Sequence, residues 1–491
     1  MSVAVTFPPF SRKEDDMPRK AIIVISDTHI GAGGAPEGNR LEDFISDAEF
    51  VDWLHDLVEE SNRDNVEMDL VINGDWIEYL QIPDVKRFEP YHPYDTVTYA
   101  DVSEAAALRR LEIVHEWHPS IFLGLSDFLN PGPPRRSLTI LYGNHDPELA
   151  YPGVQARIRE ILHVDAEHAD LVTVGQRRYF KHGVYIEHGN AYTEEVDRFS
   201  NPDSPFDPNN PSLIERPNGS HFVTHFFNRV EWERPWVDGV HPMTTLVFYA
   251  IAFEPAFALK ILRTLLRVLP DILQRLHVSE EGEQVSTGQA LLAQLETPAQ
   301  EKELLQKLES DPAFKKQFVR QVQRALGEKG VIAEDWLQPQ GIEEGIDPVA
   351  RAREITEQYW QWLEDAAERV ARAQQAQVVL FGHIHERIEK QLSSGATYLN
   401  TGTWVWKGHF KDAPDRVWQD LLVHPEKYMY SRDLTYARVD LDEDGIVRSA
   451  RLHRVGEPPA PPEPPGDLPK PSLWARLLLA LRALLRRLFA G

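Results

Sequence analysis

Apolar residues gather in short runs at 21–26, 68–73, 137–142, 184–187 and 377–381. Runs of this length, bounded by turn residues, predict buried strands rather than helices. Between them the spacing turns helical, over 41–62 and 102–129, and a long loop rich in Tyr, Pro and charge fills 81–98. Residues 171–192 predict two strands. Strands alternating with helices predict an α/β fold. The rhythm stops after 192. The block 193–375 is punctuated instead by helix starts: Thr297-Pro298-Ala299-Gln300 has the form of a capping box with a first-turn proline, and Asp311-Pro312 and Asp347-Pro348 repeat the cap-then-proline signal. Strands resume at 377–381, with short ones near 397–399, 436–439 and 447–452.

This pattern divides the chain into a polar leader (1–19), a core in two parts (20–192 and 376–456) and a mainly helical insertion between them (193–375). A Pro-rich spacer (457–471) and a final segment (472–491) follow. In that last segment Trp474, Leu477, Leu481, Leu484 and Leu488 fall on one helical face, and Arg476, Arg482, Arg486 and Arg487 on the other. Four arginines, at roughly 2.5–3.5 kcal/mol each near a bilayer centre, forbid spanning. The pattern predicts an amphipathic helix lying on an anionic membrane surface. Residues 1–20 hold no apolar run of signal-peptide length, so the expected location is cytoplasmic, peripheral on the inner face of the membrane.

Composition narrows the chemistry. The 491 residues carry a net charge of −25, which argues against stable nucleic-acid binding. There is no cysteine, so disulfides and thiolate zinc sites are excluded and any metal must be held by His, Asp, Glu or Asn.

The residues just past the strands supply such donors: Asp27, His29, Asp75, Asn144, His145, His188, His383 and His385. Function in α/β sheets collects outside the carboxyl ends of strands. Imidazoles, carboxylates and one amide suit two divalent ions clamping a phosphate. Asp75 is then the natural shared anion between ions that repel each other. His55, His115 and His118 lie on helices with no such setting and are expected to be structural.

The ordered motifs Ser26-Asp27-Thr28-His29, Gly74-Asp75, Gly143-Asn144-His145-Asp146, His188-Gly189 and Gly382-His383-Ile384-His385 resemble the calcineurin-like metallophosphoesterase superfamily, over roughly 20–192 and 376–455. The resemblance implies a four-layer α/β/β/α sandwich, here with a large helical insertion and the C-terminal amphipathic helix. It implies one metal on Asp27, His29, Asp75 and His385, and a second on Asp75, Asn144, His188 and His383. Manganese is the expected ion, with iron and zinc as alternatives. The implied nucleophile is a bridging water or hydroxide. His145 is the implied acid, oriented by Asp146. His182 rivals His188 and lacks the following glycine. Gly74-Asp75-Trp76-Ile77-Glu78-Tyr79 and Asn400-Thr401-Gly402-Thr403-Trp404 are similar to the bacterial UDP-2,3-diacylglucosamine hydrolase-like branch, which usually carries arginine where this chain has His145. The expected activity is hydrolysis of a phosphoester or pyrophosphate, in a phosphorylated small molecule or a lipid-linked or nucleotide-sugar substrate. A nuclease, a cyclic-nucleotide phosphodiesterase and a protein phosphatase share the fold. A non-catalytic scaffold would not need every ligand. The insertion enters after His188 and leaves before His383, so it is placed to cap the site.

Overall fold

Alternate side chains of the first strand point into two different cores, and that division organises the structure, a computed structural model. Residues 20–91, 98–193, 197–240, 245–275, 287–328, 347–408, 413–429 and 431–456 are described. The leader, the Pro-rich spacer and the amphipathic segment 472–491 lie outside the described residues.

On β1 (Lys20–Ile25), Ala21, Ile23 and Ile25 meet a helical layer, while Ile22 and Val24 face a second sheet. A strand buried on both faces reads as a continuous apolar run, which is why it stands out in the sequence. The chain continues through α1 (Asp47–Asp64), β2 (Glu67–Asn73), α2 (Glu104–Trp117), α3 (Pro119–Phe128), β3 (Arg136–Leu141) and α4 (Pro152–Ile161). It then forms β4 (Val172–Gln176), β5 (Arg178–Lys181) and β6 (Val184–Glu187). After the insertion the core resumes with β9 (Val378–Phe381), β10 (Arg387–Gln391), β11 (Thr397–Thr401), α13 (Asp415–Val423), β12 (Thr435–Leu441) and β13 (Val447–Arg454).

One sheet runs β13-β12-β1-β2-β3-β4, with β1 to β4 parallel; the other runs β10-β11-β9-β6-β5, with β11, β9 and β6 parallel. The inter-sheet core joins Ile22, Val24 and Val71 to Ile186, Val378 and Leu380. Helices α1 to α4 cover the outer face of the first sheet, and α12 (Pro348–Gln374) lies over the second. This is the expected four-layer α/β/β/α sandwich.

The insertion holds a hairpin, β7 (Phe206–Asp207) and β8 (Asn210–Ile214), then α5 (Asn218–Phe222), α6 (Asn228–Glu233), α7 (Leu246–Phe253), α8 (Pro255–Arg275), α9 (Thr287–Ala293), α10 (Pro298–Ser310), α11 (Pro312–Glu328) and α12. A π-helical turn, Val223–Phe227, links α5 and α6. The capping box at Thr297 forms, and Asp347 caps α12 through the Ala350 N–H. The hydrophobic core of the insertion is continuous with Tyr185, Val379, Phe381 and Tyr398 of the second sheet, so the two do not divide into separate cores.

Several boundaries differ from the sequence expectation. The helix expected over 102–129 is two helices, because Pro119 cannot continue α2 and instead starts α3. Residues 171–192 hold three strands rather than two, as the chain crosses from the first sheet to the second between Gln176 and Arg178. Strand β10 is an edge strand with mostly exposed side chains and so lacks an apolar run. No helix among the described residues is long and apolar enough to cross a membrane.

His118 ties the first loop to α1. Its Nδ1 lies 2.8 Å from Asp47 Oδ1, its Nε2 lies 3.7 Å from Glu42, and its ring packs on Phe44. Burial alone would lower its pKa, but the Asp47 hydrogen bond and the nearby Glu42 carboxylate outweigh burial and bring it up to about 10. A histidine raised in the folded state stabilises fully below its unfolded value, near 6.5, and loses that contribution as pH rises through about 10. His118→Gln is therefore expected to cost about 1.5–3 kcal/mol near neutral pH, the range for hydrogen bonds to charged groups. Urea unfolding of both proteins should show the gap closing toward alkaline pH. A gap that widens there would contradict the ion-pair account.

Candidate metal centre

The register of β1 against β2 sets the site. Ile25 lies opposite Ile72, so the loops that follow run side by side: the Asp27 N–H donates to the Gly74 carbonyl (3.2 Å) and the His29 N–H to the Asp75 carbonyl (2.9 Å). Asp27, His29, Asp75, His383 and His385 all have positive φ, between 44° and 72°. Such values cost energy in residues with a Cβ and persist only where surrounding bonds hold them. Those bonds are present. The Thr403 hydroxyl and the Trp404 N–H hold the Asp27 carbonyl, the His383 N–H donates to the Asp27 carboxylate at 3.0 Å, and the Asn400 amide holds the Gly382 carbonyl.

Two glycines in the motifs have a steric role. A Cβ on Gly74 would sit 2.6 Å from the His188 ring, and one on Gly143 would sit 2.1 Å from Asp75 Oδ1. Neither clash is tolerable, so glycine is what lets neighbouring donors approach this closely.

The side chains converge in two groups. Asp27, His29 and His385 place donor atoms within 4.8 Å of one another, and so do Asp75, His188 and His383. His29 Nε2 lies 2.9 Å from His385 Nε2, and His385 Nε2 lies 3.4 Å from Asp27 Oδ1. Asp75 Oδ2 stands between the groups, 3.0 Å from His188 Nε2 and 3.9 Å from His29 Nε2. Asn144 is 3% exposed, and its Oδ1 is buried with no hydrogen-bond partner. An orphaned, buried amide oxygen one residue before His145 is a donor a cation would satisfy, and with the two clustered groups these residues fit divalent ions. His182 is elsewhere, in the β5–β6 turn against Gly445.

The electrostatics agree with this fit. Burial raises the Asp27 carboxyl. Burial opposes the charge on Asp75 too, but His188 and His145 pull its carboxyl well below the usual range. Burial and the neighbouring His188 push His383 down to about 3, and burial with His29 and Lys407 holds His385 well below its ordinary value. Neutral imidazole is the form that binds a metal. His188 goes the other way, up to about 9, because Asp75 and Asp27 outweigh its burial. Ion binding there must displace a proton.

His145 stands over this centre, its ring edge-on to His29 at 4.9 Å. Its Nδ1 lies 2.7 Å from Glu78 Oε2, the same oxygen that lies 2.6 Å from His29 Nδ1. Burial alone would lower the His145 pKa, but Glu78 and Asp75 bring it to about 10. The carboxylate that orients His145 is therefore Glu78, which corrects the expectation for Asp146. Asp146 accepts backbone N–H groups instead, from Gly143 (2.7 Å), Trp76 (2.8 Å) and Asp75 (3.1 Å). It ties the loop after β3 to the loop after β2. Its carboxyl is raised to about 7 by burial and by Asp75.

Sequence reasoning missed Glu78 as a site residue, although it lies three positions past Asp75 in a loop at a strand end. It also missed two residues at the start of the insertion. Thr193 Oγ1 lies 2.8 Å from His383 Nε2, and Asp197 Oδ2 lies 3.7 Å from it. Other insertion residues arrive from further along: Ser220 Oγ donates to the Asn144 carbonyl at 3.3 Å, and the Tyr359 ring stacks on His383 at 6.4 Å. A further carboxyl cluster, Asp43, Glu231 and Asp238, has its pKa values raised, first by burial; repulsion within the cluster adds to this for Asp43 and Glu231, and Glu78 adds to it for all three.

No family model matches the sequence, and no curated protein matches it. Among solved structures, a dimetal phosphatase from Danio rerio is similar at 14% identity, over 89% of this chain and 99% of that one, with a TM-score of 0.29. At that level the reading of the site rests on its own geometry.

Proposed function

We propose that this protein is a dinuclear metal-dependent hydrolase of a phosphoester or pyrophosphate bond. The observation that carries the reading is the Asp75 carboxylate, with one oxygen within 4 Å of both histidine groups. Two cations close together need such a shared anion. Asp27, His29, Asp75 and His385 would hold one ion, and Asp75, Asn144, His188 and His383 the other. Manganese suits these nitrogen and oxygen donors, and iron or zinc is compatible with them. The bound ions would supply Lewis-acid stabilisation of a phosphoryl group and an activated water. The chain's own part is to orient and to move a proton. Glu78 fixes Nδ1 of His145, which leaves Nε2 to protonate the departing oxygen. Glu78 and Asp75 raise the His145 pKa, to about 10 in the ion-free protein, which favours the protonated form that an acid needs.

The contacts of Thr193, Asp197, Ser220 and Tyr359 support a capping role for the insertion, which would shape the substrate pocket. A lipid-linked or nucleotide-sugar substrate at a membrane surface is the favoured class, supported by the amphipathic pattern of 472–491. Flotation with anionic liposomes should show salt-sensitive binding that is lost when 472–491 is removed. Full-length protein that stays soluble at low salt would reject the membrane part.

The activity itself is tested with purified protein and manganese on p-nitrophenyl phosphate and bis(p-nitrophenyl) phosphate. Turnover should disappear with a chelator and return with metal. His145→Ala should keep its metal content and lose about 10²–10⁴-fold in turnover, the usual contribution of a general acid. Metal-loaded protein that cleaves no phosphoester or pyrophosphate would overturn the proposal, and an undiminished His145→Ala would remove His145 from it.

A further inference from the structure

A cavity of about 270 Å³ opens against His188. Its walls are continuous in the chain with the metal-site loops. Tyr142 precedes Asn144 by two residues, Asn190 and Tyr192 follow His188 by two and four, and Phe199 comes from the start of the insertion. A group bound here would sit beside the Asp75–His188–His383 donors.

The chemistry of the walls is specific. The polar floor is already satisfied: Glu187 takes Arg177 through Oε1 (2.6 Å) and the hydroxyls of Tyr192 (3.0 Å) and Tyr185 through Oε2. A second acid, Asp203, takes the remaining edge of Arg177 at 2.9 Å. The floor therefore offers little to a charged guest. The sides are aromatic, with the Tyr142 and Phe199 rings in edge-to-face contact at 6.2 Å. At the rim is Arg198, an exposed guanidinium. It donates to the Thr193 carbonyl at 2.8 Å and has no carboxylate partner among the described residues. Aromatic sides favour a flat ring, and an exposed arginine favours an anion next to it. The volume is just below the roughly 300–1,000 Å³ of sites for drug-sized ligands, enough for a single ring system.

We propose that this pocket is a specificity site for a nucleoside-type group: a planar base between Tyr142, Tyr192 and Phe199, with its phosphate directed past Arg198 toward the metal-site residues. The assignment rests on the hydrolase reading above and narrows its substrate class.

Two esters with the same leaving group test it: thymidine 5′-(p-nitrophenyl phosphate) and methyl p-nitrophenyl phosphate. Wild-type protein with manganese should show a KM about 3- to 10-fold lower for the thymidine ester, the range of an aromatic pair contact. In Phe199→Ala that KM ratio should fall toward one, and Phe199→Tyr, which keeps a ring, should retain it. Calorimetric titration of the metal-free protein with thymidine 5′-monophosphate gives a readout without turnover. Wild type should bind it, and Phe199→Ala should bind it more weakly by a similar factor. If neither ester is cleaved but the nucleotide binds in a Phe199-dependent way, the pocket stands and the hydrolase reading falls. Equal KM values for the two esters in wild type, or no nucleotide binding by wild type, would overturn the pocket.

Discussion

One carboxylate carries the arrangement. Asp75 is almost wholly buried, yet it is held ionised by the histidines around it. A buried charge is costly unless it is paired, and here the partners come from three separate stretches of chain: His29, His145 and His188. Asp75 Oδ1 also accepts the His145 N–H at 2.9 Å. The loops after β1, β2, β3 and β6 must therefore all be in place before this charge is compensated. Against their burial, Glu78 and Asp75 raise the pKa values of His29 and His145, and Asp75 and Asp27 raise that of His188. A cation would displace the proton from a ligand such as His188, which couples metal binding to pH.

The rest of the fold serves to hold strained loops still. Parallel strands place their carboxyl ends on one edge, and the site residues leave that edge with left-handed backbone at Asp27, His29, Asp75, His383 and His385. Asp146 contributes by gathering backbone N–H groups from two loops. Glu78 contributes by bonding a candidate ligand and the candidate acid through one oxygen, so that His29 and His145 cannot turn independently. The insertion adds Thr193 and Asp197 beside His383, and its hydrophobic core runs into that of the second sheet. Its position is thereby fixed by burial as well as by its two chain connections.

Much of this was legible in the residues. Strands buried on both faces appear as apolar runs, and polar donors just past them are conspicuous, so the two-sheet core and the set from Asp27 to His385 could be named. What was hidden depends on contacts distant in sequence. β10 shows no apolar run because its side chains face solvent. Whether Asp146 or Glu78 orients His145 turns on loop geometry that adjacency in sequence does not report. Adjacency favoured Asp146, and the fold turns its carboxylate toward backbone N–H groups instead. Thr193 and Asp197 carry no motif, and only the path of the chain after His188 brings them to His383. The split of one long helix at Pro119 was legible in principle, since proline lacks the N–H that α2 would need.

The shared role of Asp75 is tested most directly by electron paramagnetic resonance of the manganese-loaded protein. If Asp75 bridges two ions, wild type should give the exchange-coupled multiline spectrum of a manganese pair, and Asp75→Asn should not. Two manganese ions per chain giving only the six-line spectrum of isolated ions in wild type would contradict the account.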